Sequence, residues 1–321
     1  MSASTTVPAA ASTTAAARRS GGVSERAALR IRPWLRPALG VLIVVALLVR
    51  FGADPVVRGL RATDGTLLLV AVGLTAVATA CCAWRWRAVA AVFGAEIGLG
   101  TAYLSCYGSQ FLNATLPAGV LGDVHRAVQH GRRAGSLPRA ARSVVWERTL
   151  GLIVQVAATV GVLALVPTGL RPVALVVGGV ALAAAALVPW IRPVARDLAA
   201  VLARPRAAVT VVATSLAVAG AHAVVLLTAM NVVGVDLDGP QRLALALAVL
   251  LGSTVPTSIA GWGPREGIAA WAFVACGLPA SDGLAVSVAY GVAALVATLP
   301  GGMALLVTHV VLVRREASSR G

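Results

Sequence analysis

Four charges stand where an apolar chain tolerates them least: Glu147 and Arg148 in "VVWERTLGL", and Arg265 and Glu266 in "GWGPREG". An ionisable group at membrane depth costs about 2.5–3.5 kcal/mol on insertion scales, so it is rarely retained without a partner. Arg with Glu supplies a buried ion pair, and Arg alone supplies a planar fork that grips a phosphate through two hydrogen bonds. A third polar stretch, "NATLPAGVLGDVHR" at 113–126, adds Asn113, Asp123 and Arg126. Asn113 can hydrogen-bond a turn or a ligand. Asp123 and Arg126 lie nearer the interface, where a capping role and a substrate role both stand open. Neighbours on one helix do not face each other, so cross-pairs are expected instead: Arg148 with Glu266, or Glu147 with Arg265. These charges either lock the bundle or bind a lipid headgroup.

No enzyme pattern accompanies them. There is no phosphate loop leading into Gly-Lys-Ser/Thr and no Ser–His–Asp arrangement, and "GWGPREG" follows no strand that would make it a dinucleotide fingerprint. Glu147 and Glu266 are the only credible acid–base groups. Cys81, Cys82, Cys106 and Cys276 lie in apolar segments without metal-ligand spacing, and four histidines add no metal motif. No metal, cofactor or catalytic residue is therefore expected. His125 and His130 read as solvated, and Trp34, Trp84 and Trp86 as interface anchors.

The elements that must hold these residues are membrane helices. Of 321 residues 58% are hydrophobic and 12% charged, with a mean hydropathy of +0.86, whereas soluble domains carry about a quarter charged residues. The net charge of +15 comes entirely from arginine. Most arginines fall in the tail before residue 37, in 84–98, 122–142 and 190–206, and at the C-terminus. That placement is the positive-inside bias, with anionic lipid as the partner of these cytoplasmic arginines and no role for nucleic acid. Residues 1–36, rich in Ala, Ser and Thr, read as a disordered cytoplasmic tail, 37–312 as one transmembrane domain and 313–321 as a second cytoplasmic tail.

Apolar runs occur at 37–52, 66–84, 99–116, 143–166, 173–190, 207–230, 241–256, 266–277 and 284–312. Regions 84–98 and 122–142 are both basic, yet one apolar run separates them. A re-entrant hairpin resolves this, entering along 99–112, turning at 113–119 and returning by Arg126. Pro117, Gly119 and Gly122 break the helix there. Pro256, Gly261, Gly263, Pro264 and Gly267 do the same between 241–256 and 266–277. The fold expected is an all-α polytopic bundle with two broken-helix hairpins in an inverted repeat, both termini cytoplasmic, a layout common in transporters.

With "FLNATLPAGVLGDVHR" at 111–126, "ERTLGL" at 147–152 and "SIAGWGPREG" at 258–267 in that order, the chain resembles the transmembrane, flippase-like domain family named after lysylphosphatidylglycerol synthase. Ala118 stands where many relatives have Gly, and Ser258-Ile259-Ala260 replaces a run richer in Pro and Gly. The resemblance covers about residues 37–312 and implies lipid handling in the plasma membrane. With no soluble aminoacyl-transferase domain before residue 321, it implies no lipid aminoacylation. A lipid translocator is the leading expectation, and a non-transporting lipid-binding scaffold the alternative. A membrane-protein partner or a second copy is left open.

Overall fold

In the computed structural model, residues 35–116, 119–187, 191–254 and 263–318 are described, and among them all regular structure is helical. The order is α1 (Leu35–Phe51), α2 (Asp54–Ala62), α3 (Gly65–Val92), α4 (Leu99–Thr115), α5 (Leu121–Arg133), α6 (Leu137–Leu165), α7 (Arg171–Leu187), α8 (Arg192–Leu202), α9 (Pro205–Val233), α10 (Gly239–Gly252), α11 (Pro264–Ala275) and α12 (Ala280–Ser318). The nine apolar runs each find their helix. The chain adds three short amphipathic ones, α2, α5 and α8, within stretches that composition alone reads as loop.

Among the described residues, four helices are long and apolar enough to cross a membrane: α3, α6, α9 and α12. The chain therefore orders them long–short–short–long twice, as α3 to α6 and as α9 to α12. Local chemistry sets the ends. Proline within the first two positions starts α2, α6, α8, α9, α10 and α11, where a missing N–H costs nothing. The Asp64 carboxylate caps α3 by accepting from the Leu67 N–H at 2.8 Å. Gly234, left-handed at φ +86°, ends α9.

The main apolar core surrounds α10, which is buried from Ala244 through Leu250 on every side. The helices α6, α9 and α11 pack on it, and the same apolar cluster runs on to Leu67 of α3 and Val286 of α12. A smaller cluster joins Trp86 and Ala90 of α3 to Cys106 of α4, Ala127 of α5 and Val144 of α6. Both pairs of short helices pack on α12, through α4 and through α11. A Cβ on Gly301 of α12 would lie 2.3 Å from the Tyr107 carbonyl oxygen of α4, so only glycine permits that approach. Just before Pro300, inside α12, the Tyr107 hydroxyl donates to the Ala297 carbonyl at 2.9 Å. Outward, α1 and α7 present apolar residues such as Leu42, Val49, Leu175 and Val180, as helices solvated by acyl chains do.

Candidate functional site

The first polar centre forms where α4 stops and α5 begins. Asn113, in the last turn of α4, accepts the Gly122 N–H on its Oδ1 at 2.8 Å, satisfying an orphan donor at the start of α5. Its amide donates to Asp123 Oδ2 at 3.2 Å. Gly122 is obligatory here, because a Cβ would lie 2.1 Å from the Ser109 carbonyl oxygen. Asn113 thus ties the end of α4 to the start of α5.

Asp123 collects further donors from three helices. Ser109 Oγ of α4 donates at 3.1 Å, Arg126 Nε of α5 at 3.0 Å, and Arg148 of α6 grips both carboxylate oxygens at 3.0 Å. Arg126 then reaches onward. Its Nη2 meets Glu147 Oε2 at 2.6 Å, its Nη1 donates to Cys106 Sγ at 3.4 Å, and its guanidinium sits 4.8 Å over the Trp86 ring. Glu147 takes Arg85 of α3 on its other oxygen, with Nη2 at 2.5 Å and Nε at 2.9 Å. Arg85 Nη1 ends the network by donating to Ser215 Oγ of α9 at 3.0 Å.

Arg85, Arg126 and Glu147 are buried, whereas the Arg148 side chain is 48% exposed. Three guanidiniums meet two carboxylates, which leaves one positive charge in excess. Cys82, Cys106, Ser109, Gln110, Arg126, Glu147 and Arg148 line a cavity of about 20 Å³, room for about one water molecule.

The second centre lies at the start of α11. Gly263, at φ +110°, donates its N–H to Glu266 Oε2 at 2.6 Å, so Glu266 caps its own helix. Glu266 Oε1 takes Arg265 Nη2 at 2.6 Å and Ser287 Oγ of α12 at 3.1 Å. Arg265 Nε also donates to Ser287 at 2.9 Å, and the guanidinium lies 5.3 Å over the Tyr290 ring. Tyr290 and His222 Nδ1 of α9 share a hydrogen bond at 3.1 Å. Among the described residues one guanidinium meets one carboxylate here, so their charges balance.

The expected cross-pairs are therefore replaced. Glu147 is held by Arg85 and Arg126, Arg148 by Asp123, and Glu266 by Arg265. The reason is helical register: Glu147 falls on the buried face of α6 while Arg148 points off it toward α5. Adjacent Arg265 and Glu266 do meet, because Glu266 folds back over the helix start. Of the turn residues, Gly119, Gly122, Gly263, Pro264 and Gly267 frame the two junctions, and Pro117, Pro256 and Gly261 lie outside the described residues.

Several partners escaped the sequence. Arg85 reads there as a topology charge, yet it lies on the buried stripe of Ala71, Thr75, Ala78 and Val89, whereas Arg87 lies off it. That register was the available signal. His130 is not solvated: it is buried, its Nε2 2.9 Å from the Ala95 carbonyl oxygen. Trp86 is no interface anchor either. It is fully buried and donates to Ser143 Oγ at 3.1 Å, whereas Trp84 is exposed. Ser109, Ser215, His222, Ser287 and Tyr290 carried no sequence signal.

Four long apolar helices around polar centres define an all-α integral membrane protein. The chain belongs to the family described as the lysylphosphatidylglycerol synthase TM region, whose profile matches residues 34–301. Compared with the curated proteins, the chain finds no match.

Proposed function

We propose that this protein binds an anionic lipid headgroup, or a lipid-linked one, and carries it between leaflets of the plasma membrane. The observation that carries this reading is the Asp123–Arg126–Glu147–Arg85–Arg148 network. Five charges from three helices converge on a helix break with one positive charge unspent. A bundle that needed only a lock would be served better by apolar packing, since a buried ion pair is weak support for stability. Arg126 and Arg148 line the cavity and would receive the headgroup phosphate, with Asn113, Asp123 and Glu147 orienting them.

In this reading α4–α5 and α10–α11 are re-entrant hairpins. At 1.5 Å per residue, α10 and α11 are each about 20 Å long, short of a hydrocarbon core of about 30 Å. The repeated long–short–short–long order fits two inverted halves, with Arg265 and Glu266 forming the second half of the substrate path. The exposed arginines of 122–142 and 190–206 then face the cytoplasm and its anionic lipids, as do both termini.

The test is leaflet exchange of fluorescent lipids by purified protein in vesicles, run with a lipid panel. Exchange that depends on Arg148 and Arg126 is expected. Exchange no faster than in protein-free vesicles, for every lipid tested, refutes the reading.

The small cavity favours one second reading. A polar centre whose carboxylates are already satisfied suits a scaffold that binds lipid or a membrane-protein partner without moving it. Arg148→Ala would then leave exchange untouched and weaken the complex.

A further inference from the structure

The helix α5 is held to the protein in an unusual way. Its buried residues are Gly122, Arg126, Ala127, His130 and Gly131, so its sole buried apolar side chain is a methyl group. Leu121 and Val124 face outward. Apart from Ala127 clustered with Val144 and Gly131 against Leu137, what fixes α5 to α6 is ionic: Arg126 on Glu147, and Asp123 on Arg148. Segments with little apolar burial are the ones that open locally.

Its two ends differ. At the far end His130 packs edge-on to Trp86 at 5.2 Å and reaches the Ala95 carbonyl. At the near end stand Asp123 and the cavity. Gly119 and Gly135 bracket the helix at φ +60° and +66°, backbone that glycine adopts without strain. Positions of this kind absorb the dihedral changes of a hinge.

We propose that α5 is a hinged lid over the cavity, and that Asp123 occupies on Arg148 the place an anionic headgroup takes when the lid opens. This rests on the headgroup-binding reading above and adds how the site is filled. The Asp123 carboxylate is a tethered anion gripped through the two-bond fork that a phosphate would use. An incoming phosphodiester competes for Arg148 and detaches Asp123 from α6; as the near end of α5 then turns about its His130 end, the Asn113 and Ser109 bonds to α4 and the Arg126–Glu147 pair open with it. Arg126 moves with the lid and uncovers Cys106, which is 3% exposed under its guanidinium.

Cys106 supplies the readout. The protein carrying Cys81→Ser and Cys276→Ser is placed in nanodiscs of phosphatidylcholine, with and without phosphatidylglycerol, and alkylated with N-ethylmaleimide. Peptide mass spectrometry gives the rate at Cys106. The lid predicts faster labelling with phosphatidylglycerol in the parent and no such response in Arg148→Ala. Inorganic phosphate in place of phosphatidylglycerol separates a free anion from a lipid: acceleration by either supports the lid and names the source. Asp123→Asn should label about tenfold faster without any anion, since it gives up charge-assisted bonds. Labelling that ignores phosphatidylglycerol and phosphate alike overturns the lid, whether or not Asp123→Asn folds. Lid failure with Arg148-dependent leaflet exchange intact leaves the transport reading standing. Anion-driven labelling without exchange refutes transport and keeps the lid.

Discussion

The two helix breaks solve one problem differently. At the α4–α5 break, side chains from α3, α4, α5, α6 and α9 converge, and charge is left over beside a cavity. At the start of α11, Glu266 caps its own helix and Arg265 folds beside it, with Ser287 completing a neutral knot. The first is assembled from distant sequence and has one half-exposed member. The second is buried, and its ion pair joins adjacent residues of one helix start, closed by Ser287 of α12. Centres built from many elements can rearrange when those elements move, and a local knot travels as a unit.

That contrast can be broken by mutation. The largest effect is expected at Glu147. Its loss leaves two buried guanidiniums sharing one carboxylate, Asp123, and one hydroxyl, Ser215, so Glu147→Ala should cost about 3–5 kcal/mol, read by denaturant unfolding in micelles. Glu266→Ala strands one guanidinium that retains Ser287 and should fall at the low end, about 3 kcal/mol. The reverse order would make the α11 knot the true keystone.

Next comes backbone approach. Gly122→Ala drives a methyl into the Ser109 carbonyl and should cost about 1–3 kcal/mol. Gly267→Ala, whose Cβ would meet Ile43 at an ordinary 3.6 Å, should stay within about 0.5 kcal/mol by the same unfolding assay. Among the described residues the carboxylates of the two centres, Glu147 and Glu266, share no hydrogen-bond partner, so Glu147→Gln and Glu266→Gln should add to within about 0.5 kcal/mol. A larger departure in that double-mutant cycle would show them to be one centre. Among the charged residues, the smallest stability effect belongs to Arg148→Lys. Its pair is half-exposed and worth at most about 1 kcal/mol, yet losing the fork should slow lipid exchange in vesicles.

Much of the architecture was legible because lipid imposes strong rules. The helix at each apolar run, the breaks near Pro117 and Gly263, and the charged residues near them all follow from hydropathy and glycine chemistry. What was not legible was partnership. Glu147 and Arg265 looked like natural partners because both are rare charges, but pairing depends on which face of α6 or α11 each occupies. Arg85 was hidden among topology arginines because its role is set by the buried stripe of α3, not by its neighbours. The polar helices α5 and α8 were read as loop, since Arg and Asp mask their periodicity. In α8 that mask is structural: Asp197 turns inward to bind Arg142 and the Trp146 indole.

One helix touches both centres. Ser215 and His222 of α9 meet Arg85 and Tyr290, respectively. Seven residues apart, they share a face and stand about 10 Å apart along the axis. Two turns of α-helix are a stiff ruler, so the distance between these anchorage points is fixed by covalent geometry and not by the charges themselves. Separation of the two centres therefore either carries α9 along as a beam or releases one of these two hydrogen bonds.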